Sequence, residues 1–249
     1  MFNLIKYELK GYYKDFIIMI GAIAALNILL FTRINTWPQE AVIFCSFLIS
    51  FAAAVVVFIW NIRLFSRDLY EDSGYLLFSL PQPGYSILGS KLITSIVQGL
   101  IVGAVAFIFN YISFHATGKF NIEFGLIMRN ISPKFITESI VSSLFEYVYL
   151  LTTIYFSIAL SKVAIKKKKV GKLGGFIIFI IVSIILAKIT QIIVDIFPQT
   201  YNLDILKVQV AANAASTIPI NIAAMILNVI LFILMFIATA YILENKTDF

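Results

Sequence analysis

Charge is scarce in this chain. Only 13% of its 249 residues are Asp, Glu, Lys or Arg, where a soluble domain carries roughly 25% to face water. A surface that faces water all round is therefore excluded. Cysteine is almost absent. Cys45 is the single one, it lies in an apolar run, and it rules out a disulfide within the chain. It reads as a small hydrophobe. Histidine is as rare: His115 stands alone just past an apolar segment, with no Cys or His companion for a metal site. Catalytic signatures are missing too. There is no H-E-x-x-H and no G-x-S-x-G. The nearest thing to a nucleotide loop is Gly84-Tyr85-Ser86-Ile87-Leu88-Gly89-Ser90-Lys91. A P-loop needs Gly-Lys-Ser/Thr, so that lysine reaches the phosphates and the hydroxyl reaches magnesium. Here serine and lysine are reversed, and no buried strand precedes them. If nucleotide energy drives this protein, another chain binds the nucleotide.

What the chain has is hydrophobic sequence. Apolar residues make up 61% of it, and the mean hydropathy is +0.96. A bilayer core of about 30 Å is crossed by about 20 apolar helical residues. Six segments meet this need, at about residues 16–31, 41–62, 92–114, 136–160, 173–197 and 218–243. The expected fold is an all-α integral membrane domain spanning residues 1–249. The first segment follows Lys6, Lys10 and Lys14, as a signal peptide would. No small-residue cleavage site follows it, so it reads as a retained anchor.

The basic residues set the orientation. Thirteen of the nineteen Lys and Arg fall on one side of the six spans: Lys6, Lys10, Lys14, Arg63, Arg67, Lys91, Lys162, Lys166, Lys167, Lys168, Lys169, Lys172 and Lys246. Five fall on the other, and Lys188 lies inside a span. The basic side is expected to be cytoplasmic, with both termini on it. The net charge of +6 is then spent on topology and on anionic lipid headgroups, not on nucleic acid.

The loop at residues 63–91 reads RLFSRDLYEDSGYLLFSLPQPGYSILGSK. It opens with a helical pattern, Leu64, Phe65 and Leu69 to one side and Arg67, Asp68 and Glu71 to the other. Ser73-Gly74 ends that pattern, and Pro81-Gln82-Pro83-Gly84 makes a turn. Such a helix at a membrane face either anchors the loop or carries force from a partner into the spans. The run Phe65-Ser66-Arg67-Asp68-Leu69-Tyr70-Glu71-Asp72-Ser73-Gly74-Tyr75-Leu76, then Ser79-Leu80-Pro81, then Ser90-Lys91-Leu92 resembles the permease subunits of ABC-2-type transporters. The likeness is to the small six-span bacterial permeases of peptide-antibiotic export and immunity. The tail Tyr241-Ile242-Leu243-Glu244-Asn245-Lys246 and the amphipathic piece at residues 4–14 are similar to that family as well.

The resemblance implies an N-terminal amphipathic helix, and a coupling helix between spans two and three. Arg67, Asp68, Leu69, Glu71 and Gly74 would there engage an ABC ATPase. It also implies a second permease chain, a bacterial cell-membrane location, no cofactor in this chain, and ATP and Mg on the partner.

Ionisable groups inside spans are costly and usually face a protein interior or a cavity. Glu146, Lys188, Gln191 and Asp195 are the candidates for a polar pathway. Lys188 and Asp195 stand two turns apart on one helix face, with Gln191 between them. Glu146 and Lys188 are candidates for an interhelical pair that fixes packing instead. Glu138 is expected near a solvated end. Residues 198–219, rich in Ala, Val and Ile, read as a surface-lying or re-entrant helix. Three other classes compete: an ion-driven secondary carrier, an intramembrane enzyme, and a non-transporting scaffold or sensor partner. The spans are mostly unbroken and show no clear repeat, which disfavours the carrier. The acids Glu138 and Glu146 are eight residues apart, which disfavours the enzyme. The transported substrate stays open among peptide antibiotics, lipids and drugs.

Overall fold

The computed structural model describes residues 2–70, 82–117, 130–164, 168–205 and 217–245. Six long helices carry the fold: α1 (Phe2–Phe31), α2 (Gln39–Tyr70), α3 (Gly84–Ala116), α4 (Pro133–Ala164), α5 (Lys168–Ile196) and α6 (Ile222–Asn245). All six are long and apolar enough to cross a bilayer, so this is an all-α, multi-pass membrane protein. Its only strands among the described residues are β1 (Thr200–Asp204) and β2 (Thr217–Asn221).

Most helices are longer than the spans expected from hydropathy. The amphipathic stretch at the N-terminus is continuous with span one in α1. Over residues 4–19, Leu4, Ile5, Glu8, Leu9, Tyr12, Phe16 and Met19 turn inward, while Lys6, Lys10, Lys14 and Asp15 are exposed. That is the 3.6-residue period of a one-sided helix. In the same way, Arg67, Asp68 and Leu69 form the last turn of α2 and not a separate coupling helix. Glu71, Gly74, Lys166 and Lys167 lie outside the described residues.

Residues 198–219 differ from the expectation. A helix does not form at either end of the segment, because β1 and β2 pair antiparallel, from Thr200 opposite Asn221 to Asp204 opposite Thr217. Thr200, Tyr201, Thr217, Ile218 and Ile220 favour a pleated strand. Pro219 lacks the N–H a helix interior needs but is tolerated in a two-stranded ribbon with open edges. The sixth span accordingly starts at Ile222 and not near 218. Asn221 caps it, its Oδ1 accepting from the Ala224 N–H at 2.9 Å. Pro133 opens α4 at a position where its missing N–H costs nothing.

The chain divides into two compact units. One comprises residues 2–61 and 93–129. Its core joins Met19 and Ile23 of α1, Ala53 and Val57 of α2, and Val102 of α3. A polar chain also runs through it. Asn27, Ser46 and Ser113 are fully buried. Ser46 Oγ donates to Asn27 Oδ1 at 2.9 Å, and Ser113 Oγ to Ser46 Oγ at 3.1 Å. Asn110 Nδ2 donates to Ser50 Oγ at 2.8 Å. In lipid these groups have no water to turn to, so they satisfy one another across three helices.

The other unit comprises residues 62–92 and 130–249. Its centre is α4, whose buried face runs from Leu151 to Ser161. The hydroxyls of that face bond back along their own helix: Thr152 to the Val148 carbonyl at 2.8 Å, Thr153 to Tyr149 at 2.9 Å, Ser157 to Thr153 at 2.8 Å. This is how a hydroxyl-rich helix remains at home in an apolar setting.

Candidate functional site

Two places in the second unit gather the candidate residues. The first is where the end of α2 meets the start of α3. Leu64, Phe65 and Leu69 are 2%, 1% and 1% exposed, so the side of this segment expected to be apolar is indeed packed. Phe65 stacks on the buried ring of Tyr155, with centroids 4.3 Å apart and planes 14° from parallel. Tyr70 donates its hydroxyl to the Ile158 carbonyl at 3.4 Å, and Lys162 Nζ lies 5.5 Å over the Tyr70 ring.

Asp68 is not on the free, outward side. Its carboxylate receives the ammonium of Lys91, whose side chain is 1% exposed against 13% for Asp68. Arg67 Nε stands 3.8 Å from the other carboxylate oxygen, with its side chain 40% exposed. A lysine this buried is tolerated only when paired. The pair joins residues 23 apart in sequence. Close by, Gly84 opens α3 against the backbone of Ala240 in α6. A Cβ there would meet the Ala240 carbonyl, with its carbon only 3.1 Å away, so the close approach requires glycine.

The second place is a groove of about 520 Å³ between α4, α5 and α6. Tyr149, Leu150 and Thr153 line it from α4; Ser183, Leu186, Ala187, Thr190, Gln191 and Val194 from α5; Asn228 from α6. Its size and its mostly apolar lining with a few polar groups are those of a small-molecule site. Thr153 and Thr190 spend their hydroxyls on their own helices. Ser183, Gln191 and Asn228 make no side-chain hydrogen bond among the described residues.

The four residues proposed for a polar pathway separate. Gln191 lines the groove. Glu146 is exposed and precedes Tyr149, Leu150 and Thr153 by three, four and seven residues, which places it on their face of α4. Lys188 and Asp195 are exposed and absent from the groove lining. At 100° per residue they lie roughly 100° around α5 from the stripe of Ala187 and Val194. Glu146 and Lys188 form no ion pair with each other, and neither has an ionic partner among the described residues. Glu138 stands 3.9 Å from Lys134 near the start of α4, with its side chain 36% exposed.

Sequence reasoning missed the groove. The signal was there in α5, where Ser183, Ala187, Thr190 and Val194 make a small and hydroxyl-bearing stripe through an isoleucine-rich helix. It also missed Lys91 as the partner of Asp68. No protein-family model, no curated protein and no solved structure matches the chain.

Proposed function

We propose that this chain is the membrane-spanning permease subunit of an ATP-driven exporter of the ABC-2 type. It sits in a bacterial cell membrane with both termini cytoplasmic and moves a peptide antibiotic or another amphipathic compound outward. A separate ABC ATPase hydrolyses ATP, and this chain catalyses nothing itself. The observation that carries the reading is the Asp68–Lys91 pair. Two pieces of the resemblance, the basic-acidic step Arg67-Asp68 and the Ser90-Lys91-Leu92 entry to span three, are held against each other by it. A cytoplasmic partner pushing on the Arg67 turn would then move α2 and α3 together.

A second permease chain fits the same reading. None of the most apolar window of α5 is buried within the chain, and Lys188 is exposed there about 12 Å from the helix end at Ile196. A lysine at such depth is costly in lipid, and a second chain would shield it.

The test is affinity capture of the tagged chain from its native membrane. The expected result is co-purification of an ABC ATPase whose hydrolysis rises in the complex. Exchanging Arg67 and Glu71 for Ala, with Asp68–Lys91 intact, should leave the chain inserted and lower transport per ATP hydrolysed. Capture of no ATPase refutes the reading. Partner capture with no flux under any condition favours the scaffold instead.

A further inference from the structure

We infer that the groove between α4, α5 and α6 binds a small amphipathic cation, apolar body along the helices and ammonium-type head at Glu146. The assignment of this ligand as cargo rests on the permease reading; the binding itself does not.

Of the polar lining residues without side-chain hydrogen bonds among the described residues, Gln191 and Asn228 are near the hairpin end of the unit and Ser183 is at the other end. Gln191 is five residues from the end of α5 at Ile196, and Asn228 six from the start of α6 at Ile222, or about 7.5 and 9 Å along the axes. From Val194 the lining then descends through Leu186, Ala187 and Leu150 to Ser183 and Thr153, a run of about 16 Å along α5. Leu150, Leu186, Ala187 and Val194 make most of that run hydrocarbon, which suits the apolar body of an amphipath.

The sign of the head follows from Glu146. It lies one turn towards the hairpin end from Leu150, on the groove face of α4. It is exposed and lacks an ionic partner among the described residues. No lysine, arginine or histidine is among the lining residues. A carboxylate facing lipid without a counter-ion is unfavourable, and a cationic head supplies one. An anionic or phosphate head would meet only repulsion. Gln191 and Asn228 offer donors and acceptors for neutral groups near the hairpin end, and Ser183 does so at the other end of the groove.

The experiment is photolabelling of the purified chain, without any ATPase, in phosphatidylcholine nanodiscs. Three probes of one length are compared: a diazirine-bearing dodecylamine, the matching dodecanol and the matching dodecanoate. Adducts are mapped by mass spectrometry. The amine is expected to concentrate on groove residues such as Leu150, Leu186 and Val194, and a non-photoreactive dodecylamine is expected to compete it away. E146Q should reduce that labelling roughly tenfold, about 1.4 kcal/mol, while K188Q should not. A187W, which fills the groove and keeps Glu146, should abolish it. Equal labelling by all three probes, adducts spread evenly over the six helices, or an unchanged E146Q overturns the inference. Groove labelling by a chain that captures no ATPase would sink the permease reading and leave the site standing. An ATPase partner with no groove labelling would do the reverse.

Discussion

Removing the acid from the Asp68–Lys91 pair should cost more than removing the pair. In D68N the ammonium of Lys91 keeps its 1% exposure but loses the Asp68 carboxylate. Breaking a buried pair from one side costs about 3–5 kcal/mol, whereas exchanging both members for groups of similar volume is often close to neutral. D68N is therefore expected to lose about 3–5 kcal/mol of unfolding free energy at pH 7. K91M leaves a carboxylate that is 13% exposed and beside Arg67, so it should lose about 1–3 kcal/mol. The double variant D68N/K91M should be more stable than D68N alone.

The assay is reversible unfolding in mixed micelles by denaturing detergent, followed by tryptophan fluorescence and circular dichroism. If D68N unfolds with the parent, or if the double variant is no more stable than D68N, Lys91 is not held as a buried charge and the reasoning fails.

Two further predictions concern packing. G84A should destabilise by about 1–3 kcal/mol, because its Cβ would press on the Ala240 backbone and a main-chain atom cannot swing aside. The same unfolding assay reads it, and a neutral result would mean α3 and α6 do not approach this closely. N27L should cost only about 0.6–1.7 kcal/mol, the range for hydrogen bonds between membrane helices, although Asn27 is fully buried and bonded to Ser46. A loss far above that range would mean the polar chain through Ser46 and Ser113 acts as one unit.

The elements were legible because hydropathy reports the solvent of each segment directly. Six apolar runs of bilayer length became six helices, and the lysines of residues 4–14 fell on the exposed side of α1. Where a boundary depends on backbone pairing, hydropathy said less. The Ala-, Val- and Ile-rich stretch after α5 suits a helix by composition, but Pro219 and the β-branched residues around it settle its two ends as a hairpin. The same limit explains Asp68. One turn of helix leaves its direction ambiguous between solvent and neighbour, and only the fold brings Lys91, 23 residues on, to meet it.

The candidate pathway was legible in part, for a related reason. In a soluble protein a charge inside a helix marks the outward face; in lipid the rule inverts, and intramembrane charges are expected to turn inward. Applied to α5, that inversion selects Lys188 and Asp195, which the fold leaves exposed on the surface of the chain. The residues that do face α4 and α6 are weaker signals, Ser183, Ala187, Thr190 and Gln191. Small and hydroxyl-bearing side chains allow close helix approach, so they track the contact between helices better than formal charge does. On that criterion the inner side of α5 was readable from the spacing of 183, 187, 190 and 194 alone, whereas the formal charges mark a side of the helix that stays exposed.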